Sequence, residues 1–348
     1  MPAASTVDLA GRYRRILVFG AGGGGDVLGA YYYTLRIRRL GGDALAGSVV
    51  WERHAIDPYP GPIPLETLVD AEPLGWTLAL VNGNTVSLRY GSTVKPQVAR
   101  LAMATGEETV FIDLSKGAEG VLAALEAAVE ELGVDAIVGV DTGGDILARG
   151  DEESLWSPLA DALSLYALSK APVDSYLLVL SPGADGELPW TAVLERVSLA
   201  ARRGGLIEVL GLSREEYETL KKLEGLVESE ASRIPLRAFE GVHGTVKIRG
   251  GTRTVTVTPC QASAYLLDPR IVAENSMLPG LVEGTRGIGQ ASQMLNRKCI
   301  VTELDLEMEL SRLMEKGVRP ETVDLVGVKR RLRGELEKRY GCRGSAEA

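Results

Sequence analysis

Two short loops rich in glycine and ending in aspartate carry the chemistry in this sequence. Residues 16–30 read ILVFGAGGGGDVLGA and residues 136–150 read AIVGVDTGGDILARG. Aligned on Gly24-Gly25-Asp26 and Gly143-Gly144-Asp145, both pass from an apolar run through Gly-Gly-Asp into Val/Ile-Leu. In a tight strand-to-helix turn, glycine relieves backbone strain and aspartate caps the helix. Recurrence of the same tetrad after two separate strands points further. Loops that follow parallel strands open on one edge of the sheet, where ligands of open α/β sheets bind. Both loops are therefore expected to line one crevice.

The ligand chemistry follows from what the loops carry. Gly20, Gly22 and Gly25 satisfy the dinucleotide fingerprint, and Glu52 stands after the second strand, where an acid would hold a ribose. That match makes an NAD(P)- or flavin-dependent oxidoreductase one reading. Asp26 argues for another. A carboxylate in the first helical turn competes with a phosphate for the same N–H groups and repels it. The conflict disappears if a divalent cation lies between them, or if the ligand brings an amine. Asp141, Asp145, Asp151, Glu152 and Glu153 crowd the second loop, and oxygen clusters of this kind suit Mg²⁺. Asp26 and Asp145 are the expected metal ligands and catalytic acids. Gly22, Gly23, Gly24, Gly25, Asp141, Thr142, Gly143, Gly144 and Glu52 are the expected ligand contacts. Lys116, after a strand on the same edge, is expected to pair with a phosphate or carboxylate. Asp161 serves its helix dipole. His243, Cys260 and Arg286 are weaker candidates for acid–base, nucleophilic and anion-binding roles. No Walker A loop, HExxH, Gly-x-Ser-x-Gly or kinase signature is present.

The elements that must position these residues read as α/β. Short apolar runs at 15–19, 45–51, 110–114, 136–140 and 176–180 alternate with helical stretches at 26–40, 120–132 and 157–171. Ser157-Pro158 is an N-cap followed by a first-turn proline. Asn82-Gly83 suits a tight hairpin turn. The second half is less regular: a charged helix over Ser213–Glu230, a hairpin over His243–Val257 turning at Gly250-Gly251, then two or three helices. The expected fold is a mostly parallel, Rossmann-like sheet with helices on both faces over residues 1–212. A C-terminal α+β portion over 213–348 caps the core or extends its sheet.

Composition bounds the function. Of 348 residues, 45% are hydrophobic and 24% charged, which excludes disorder and leaves material for a large core. No apolar run reaches the roughly 20 residues that span a bilayer. The N-terminus shows no secretory signal, and the three scattered cysteines read as reduced thiols, so the expected location is cytoplasmic. A net charge of −9 argues against nucleic acid. The basic stretch Lys329 to Arg343 reads as the solvated face of a terminal helix or a docking surface, and self-association is a possible use for it.

With GAGGGGDVLGA near its start and GVDTGGDILARGDEESLWSPLADA in its middle, the chain resembles a mainly archaeal family, domain of unknown function eleven fifty-two. That resemblance implies organisation over residues 14–300 and no activity. DTGGDILARGDE is also similar to the acidic glycine loop of the D-glutamate cyclase family, with Asp145 in place of an amide. The leading expectation is an enzyme binding a small anionic metabolite, phosphorylated or nucleotide-like, with Mg²⁺. The alternatives are the oxidoreductase, a lyase acting on an amino-acid ligand, and a ligand-binding protein without catalysis.

Overall fold

The structure, a computed structural model, describes residues 5–342. Its first strand, β1 (Ile16–Gly20), is buried at every position, as a strand covered on both faces must be. Leu17 and Phe19 enter one core while Ile16 and Val18 enter the other. This is the two-residue period of a pleated strand. The strands that follow are β2 (Ala44–Val49), β3 (Leu68–Pro73), β4 (Leu78–Arg89), β5 (Ser92–Val94) and β6 (Thr109–Ile112). After them come β7 (Ala136–Thr142), β8 (Asp174–Leu180), β9 (Leu206–Gly211), β10 (Gly244–Ile248), β11 (Arg253–Val257) and β12 (Ser263–Leu267).

Among the described residues, ten strands form one sheet in the order β3-β4-β6-β2-β1-β7-β8-β12-β9, with β5 paired to β4. From β6 to β8 neighbouring strands are parallel, and the flanks are antiparallel. The fold is α/β, with a large, mostly parallel central sheet flanked by helices. From β1 the chain builds outward to β2 and β6, then returns to place β7 on the other side of β1 and continues to β8. The β1/β7 boundary is therefore the point where the winding reverses, and a crevice opens beyond its C-terminal ends.

The helix Val27–Arg39 covers one face with Tyr32, Tyr33 and Ile37. Gly117–Leu132 and Pro158–Lys170 cover the other. The 158–170 helix has no single apolar face, and it is buried almost throughout. The helices Pro269–Ala273, Leu278–Val282, Ile288–Asn296 and Glu303–Glu315 pack over it.

Several expectations need correction. β4 runs straight through Asn82-Gly83. Gly83 is small because a Cβ there would lie 2.8 Å from Met103 Cα; the turn falls instead at Tyr90-Gly91, where both φ angles are positive. The helix capped by Ser213 stops at Leu223, before Gly225 with φ +88. The β10–β11 hairpin forms as expected. Beyond residue 212 the chain adds β12 to the sheet, between β8 and β9. Cys299 and Cys342, expected as free thiols, form a disulfide with Cα atoms 6.1 Å apart. They lie 43 positions apart, and only the return of the helix Leu325–Tyr340 brings them together. That helix carries the basic stretch and buries no residue; Arg343 lies outside the described residues. Among the described residues, no helix is long and apolar enough to cross a membrane.

Candidate functional site

Strand pairing places the two glycine loops side by side. Gly20 is in register with Val140, and the Ala21 N–H donates to the Val140 carbonyl at 2.8 Å. Gly22 then forms a clearing. A Cβ on it would lie 2.7 Å from Asp26 Oδ2, 3.0 Å from Asp161 Oδ1 and 3.3 Å from Asp141 Oδ1. Gly143 does the same for a third loop. Its φ is +139, and a Cβ would lie 1.5 Å from Asp185 Oδ2, so no other residue fits.

Six buried carboxylates converge here: Asp26, Asp141, Asp145, Asp161, Asp185 and Glu187. Oxygens of Asp141, Asp145 and Asp161 lie within 4.8 Å of one another, as do those of Asp145, Asp185 and Glu187. Donors are unevenly shared among them. Asp26 accepts from the Gly22 N–H at 2.9 Å, and Asp141 from the Gly144 N–H at 2.7 Å. Asp185 Oδ1 accepts from the Glu187 N–H, while Oδ2 has no partner among the described residues. Glu187 accepts from Ser157 Oγ at 2.6 Å, Ser157 N–H at 3.1 Å, Arg253 at 2.9 Å and the Trp156 N–H. Asp161 Oδ1 is buried without a partner among the described residues.

Electrostatics follow from that division. Burial pushes Asp26 and Asp185 up to about 7. It raises Asp141, Asp145 and Asp161 well above the usual carboxylate range, and the charges of neighbouring carboxylates add to the shift. Burial also acts on Glu187, but Arg253, Ser157 and Trp156 outweigh it and hold that carboxyl low. A water-poor cluster of this kind is stable only if protonated or paired with cations.

Arg53 and Arg249 line the same crevice, and Arg253 lines the adjoining cavity. Arg249 sits in the hairpin turn at φ +55, a costly conformation for a residue with a side chain. Burial and the charges of Arg53 and Arg253 lower its guanidinium to about 10. The adjoining cavity, about 300 Å³, is walled by Trp51, Trp156, His54, Leu306, Leu310 and Leu325. Two further carboxylates hold its walls. Glu307 accepts from Trp51 Nε1 at 2.9 Å and the Gly61 N–H at 2.8 Å. Glu303 accepts from the N–H groups of Leu159 at 3.1 Å and Ala160 at 2.8 Å, capping the 158–170 helix. Ser157, expected as that cap, makes no capping bond and turns its hydroxyl to Glu187.

The other expected residues lie as follows. Gly22–Asp26, Asp141, Thr142 and Asp145 line the crevice, whereas Gly143 packs against Asp185 and Gly144 against Val179 and Val193, and neither lines it. Glu52 is buried against Gly24 and accepts from the Gln97 N–H at 2.7 Å. Lys116 is paired with Glu66 at 2.9 Å and lines neither cavity. Asp151 and Glu153 are exposed and pair with Arg149 and Arg333, Glu152 is largely buried against Arg196, and none of the three lines the crevice. His243, Cys260 and Arg286 are exposed and line neither cavity. Sequence reasoning missed Asp185, Glu187, Arg53, Arg249 and Arg253. Pro182-Gly-Ala-Asp-Gly-Glu187 follows β8 as the earlier loops follow β1 and β7, and that was the available signal.

No curated protein and no solved structure matches the chain. The profile of a family described as "Protein of unknown function (DUF1152)" matches residues 17–311, so the chain belongs to that family.

Proposed function

We propose that this chain is an enzyme that binds a small anionic metabolite, phosphorylated or nucleotide-like, through a divalent cation at the C-terminal edge of a Rossmann-like sheet. The observation that carries this reading is a cluster of buried carboxylates, with unpartnered oxygens on Asp161 and Asp185, beside Arg53 and Arg249 in one crevice and Arg253 in the adjoining cavity. Carboxylates that lack donors call for a cation, and Mg²⁺ takes one or two of them plus water and phosphate oxygens. The ligand set best supported is Asp141, Asp145 and Asp161, with Asp26 alongside rather than as the partner of Asp145. Arg53, Arg249 and Arg253 are the groups that hold the anion's remaining oxygens. The cavity between Trp51 and Leu325 takes the organic part.

A dinucleotide is less well served by the first loop, whose N–H groups are largely used. Gly22 donates to Asp26, Gly24 to the Trp51 carbonyl at 3.0 Å, and Asp26 to the Gly23 carbonyl at 3.1 Å. Calorimetric titration with ATP, ADP, NAD⁺, NADP⁺ and D-glutamate, each with and without Mg²⁺, tests the reading. Nucleotide binding that requires Mg²⁺ and weakens at least about tenfold in Arg249→Ala is the expected result. Metal-free binding of NAD⁺ would transfer the argument to the oxidoreductase. Metal-free binding of D-glutamate would transfer it to the lyase, with an ammonium group among the acids.

A further inference from the structure

We propose that the crevice holds two divalent cations that share Asp145, one closed by Asp141 and Asp161, the other by Asp185 beside Glu187. This rests on the cation reading above and gives it a stoichiometry and a narrower ligand class.

The two triads are separate in their residues except for Asp145. Octahedral Mg²⁺ or Mn²⁺ bound at about 2.1 Å places neighbouring ligand oxygens about 3 Å apart and opposite ones about 4.2 Å apart. Oxygens already within 4.8 Å close on an ion with small side-chain rotations. Each triad also contains one buried oxygen that nothing among the described residues satisfies: Asp161 Oδ1 in the first and Asp185 Oδ2 in the second. Buried acceptors are nearly always partnered, so an orphan in each triad points to a missing ligand in each. A single ion at the first triad leaves Asp185 Oδ2 unexplained.

The neighbouring guanidinium groups are already engaged, Arg53 and Arg249 with Glu230 at 3.4 and 3.9 Å and Arg253 with Glu187 at 2.9 Å, so none of the five aspartates has an ion-pair partner among the described residues. Glu187 is the one carboxylate already saturated with donors, so Asp145 and Asp185 are the direct ligands at the second position. Glu187 adds charge there and keeps Arg253 turned toward the crevice, an outer-shell role.

Two cations bridged by one carboxylate lie about 3.5–4 Å apart, the spacing that clamps the attacking and leaving oxygens at a phosphorus centre. The ligand class narrows accordingly to a phosphate ester or diphosphate, its phosphate between the cations and Arg249.

The test is Mn²⁺ titration of the full-length protein without any organic ligand, read by electron paramagnetic resonance. Free Mn²⁺ gives the count per chain, and a low-temperature spectrum reports exchange coupling between neighbouring ions. The expected result is two Mn²⁺ per chain with a coupled signal. Asp185→Asn should retain one ion and lose the coupling, and Asp145→Asn should weaken both at least tenfold. If a variant fails to fold, the wild-type count decides alone. One Mn²⁺ per chain, or two without coupling, overturns the shared-ligand centre and leaves the cation reading standing. No Mn²⁺ overturns both.

Discussion

A buried carboxylate without a donor is among the costliest groups a protein can keep, and this crevice keeps several. Asp161 was legible in the sequence only as a helix-dipole residue. The geometry turns it toward Gly22, where it meets Asp26 and Asp141. Its cost to the cation-free protein gives a test of opposite signs. Asp161→Asn should stabilise the protein in EDTA by about 1–2 kcal/mol, by removing a repelled charge, and should weaken Mn²⁺ binding at least tenfold. Urea unfolding in EDTA and in Mn²⁺ measures both. Destabilisation under both conditions would make Asp161 a structural residue. Asp26, Asp141 and Asp145 were readable because each stands in a glycine loop directly after an apolar strand. Arg249 and Arg253 were not, because nothing local ties a hairpin turn to loops more than 100 residues earlier.

Elements position these residues through partners that local sequence does not announce. The 158–170 helix starts where Ser157-Pro158 predicts, but its exposed N–H groups are satisfied by Glu303, from a helix near the other end of the chain. Burial raises the Glu303 carboxyl to about 8, which leaves an acceptor without much charge. Glu303→Ala should therefore cost about 1–2 kcal/mol, as loss of a cap does, while Glu303→Gln keeps the acceptor and most of the stability. Denaturant midpoints for the two variants check this; equal midpoints would show that the cap contributes nothing. The central strands were legible because strands buried on both faces are apolar throughout. β4 was misread because Gly83 carries two signals, a turn residue in sequence and a close helix contact in space.

For the molecule as a whole, the raised carboxyls set the response to pH. A carboxyl with a raised native pKa binds more protons folded than unfolded, so its contribution is present at low pH and lost as pH rises. For Asp26 and Asp185 that window runs from the ordinary carboxylate range up through about 7. In EDTA, stability should fall between pH 5 and pH 8, by roughly 1.4 kcal/mol per pH unit for each group titrating. Mn²⁺ should flatten part of that slope, leaving the share due to Glu52, Glu303 and Glu307 outside the cluster. Thermal melts across that range measure it, and a slope identical with and without Mn²⁺ would separate the cluster from any cation. Whether the portion after 212 caps the sheet or extends it was not legible in the sequence, because β12 has an ordinary strand sequence and only its partners, β8 and β9, place it in the sheet.

The disulfide bears on how a ligand enters. The helix Leu325–Tyr340 walls the cavity through Leu325 and sets Lys329 over the Trp156 ring at 4.7 Å, yet it buries no residue of its own. Polar contacts rather than a buried apolar face seat it: Arg331 on Glu309, Arg333 on Glu153 at 2.8 Å, and Lys329 on the Glu153 and Leu155 carbonyls. It is pinned at both ends, by the chain after Glu315 and by the bond from Cys342 to Cys299. A lifted helix thus stays at high effective concentration over its own seat. Opening becomes a bounded excursion, like a flap on two hinges, and reclosing needs no search.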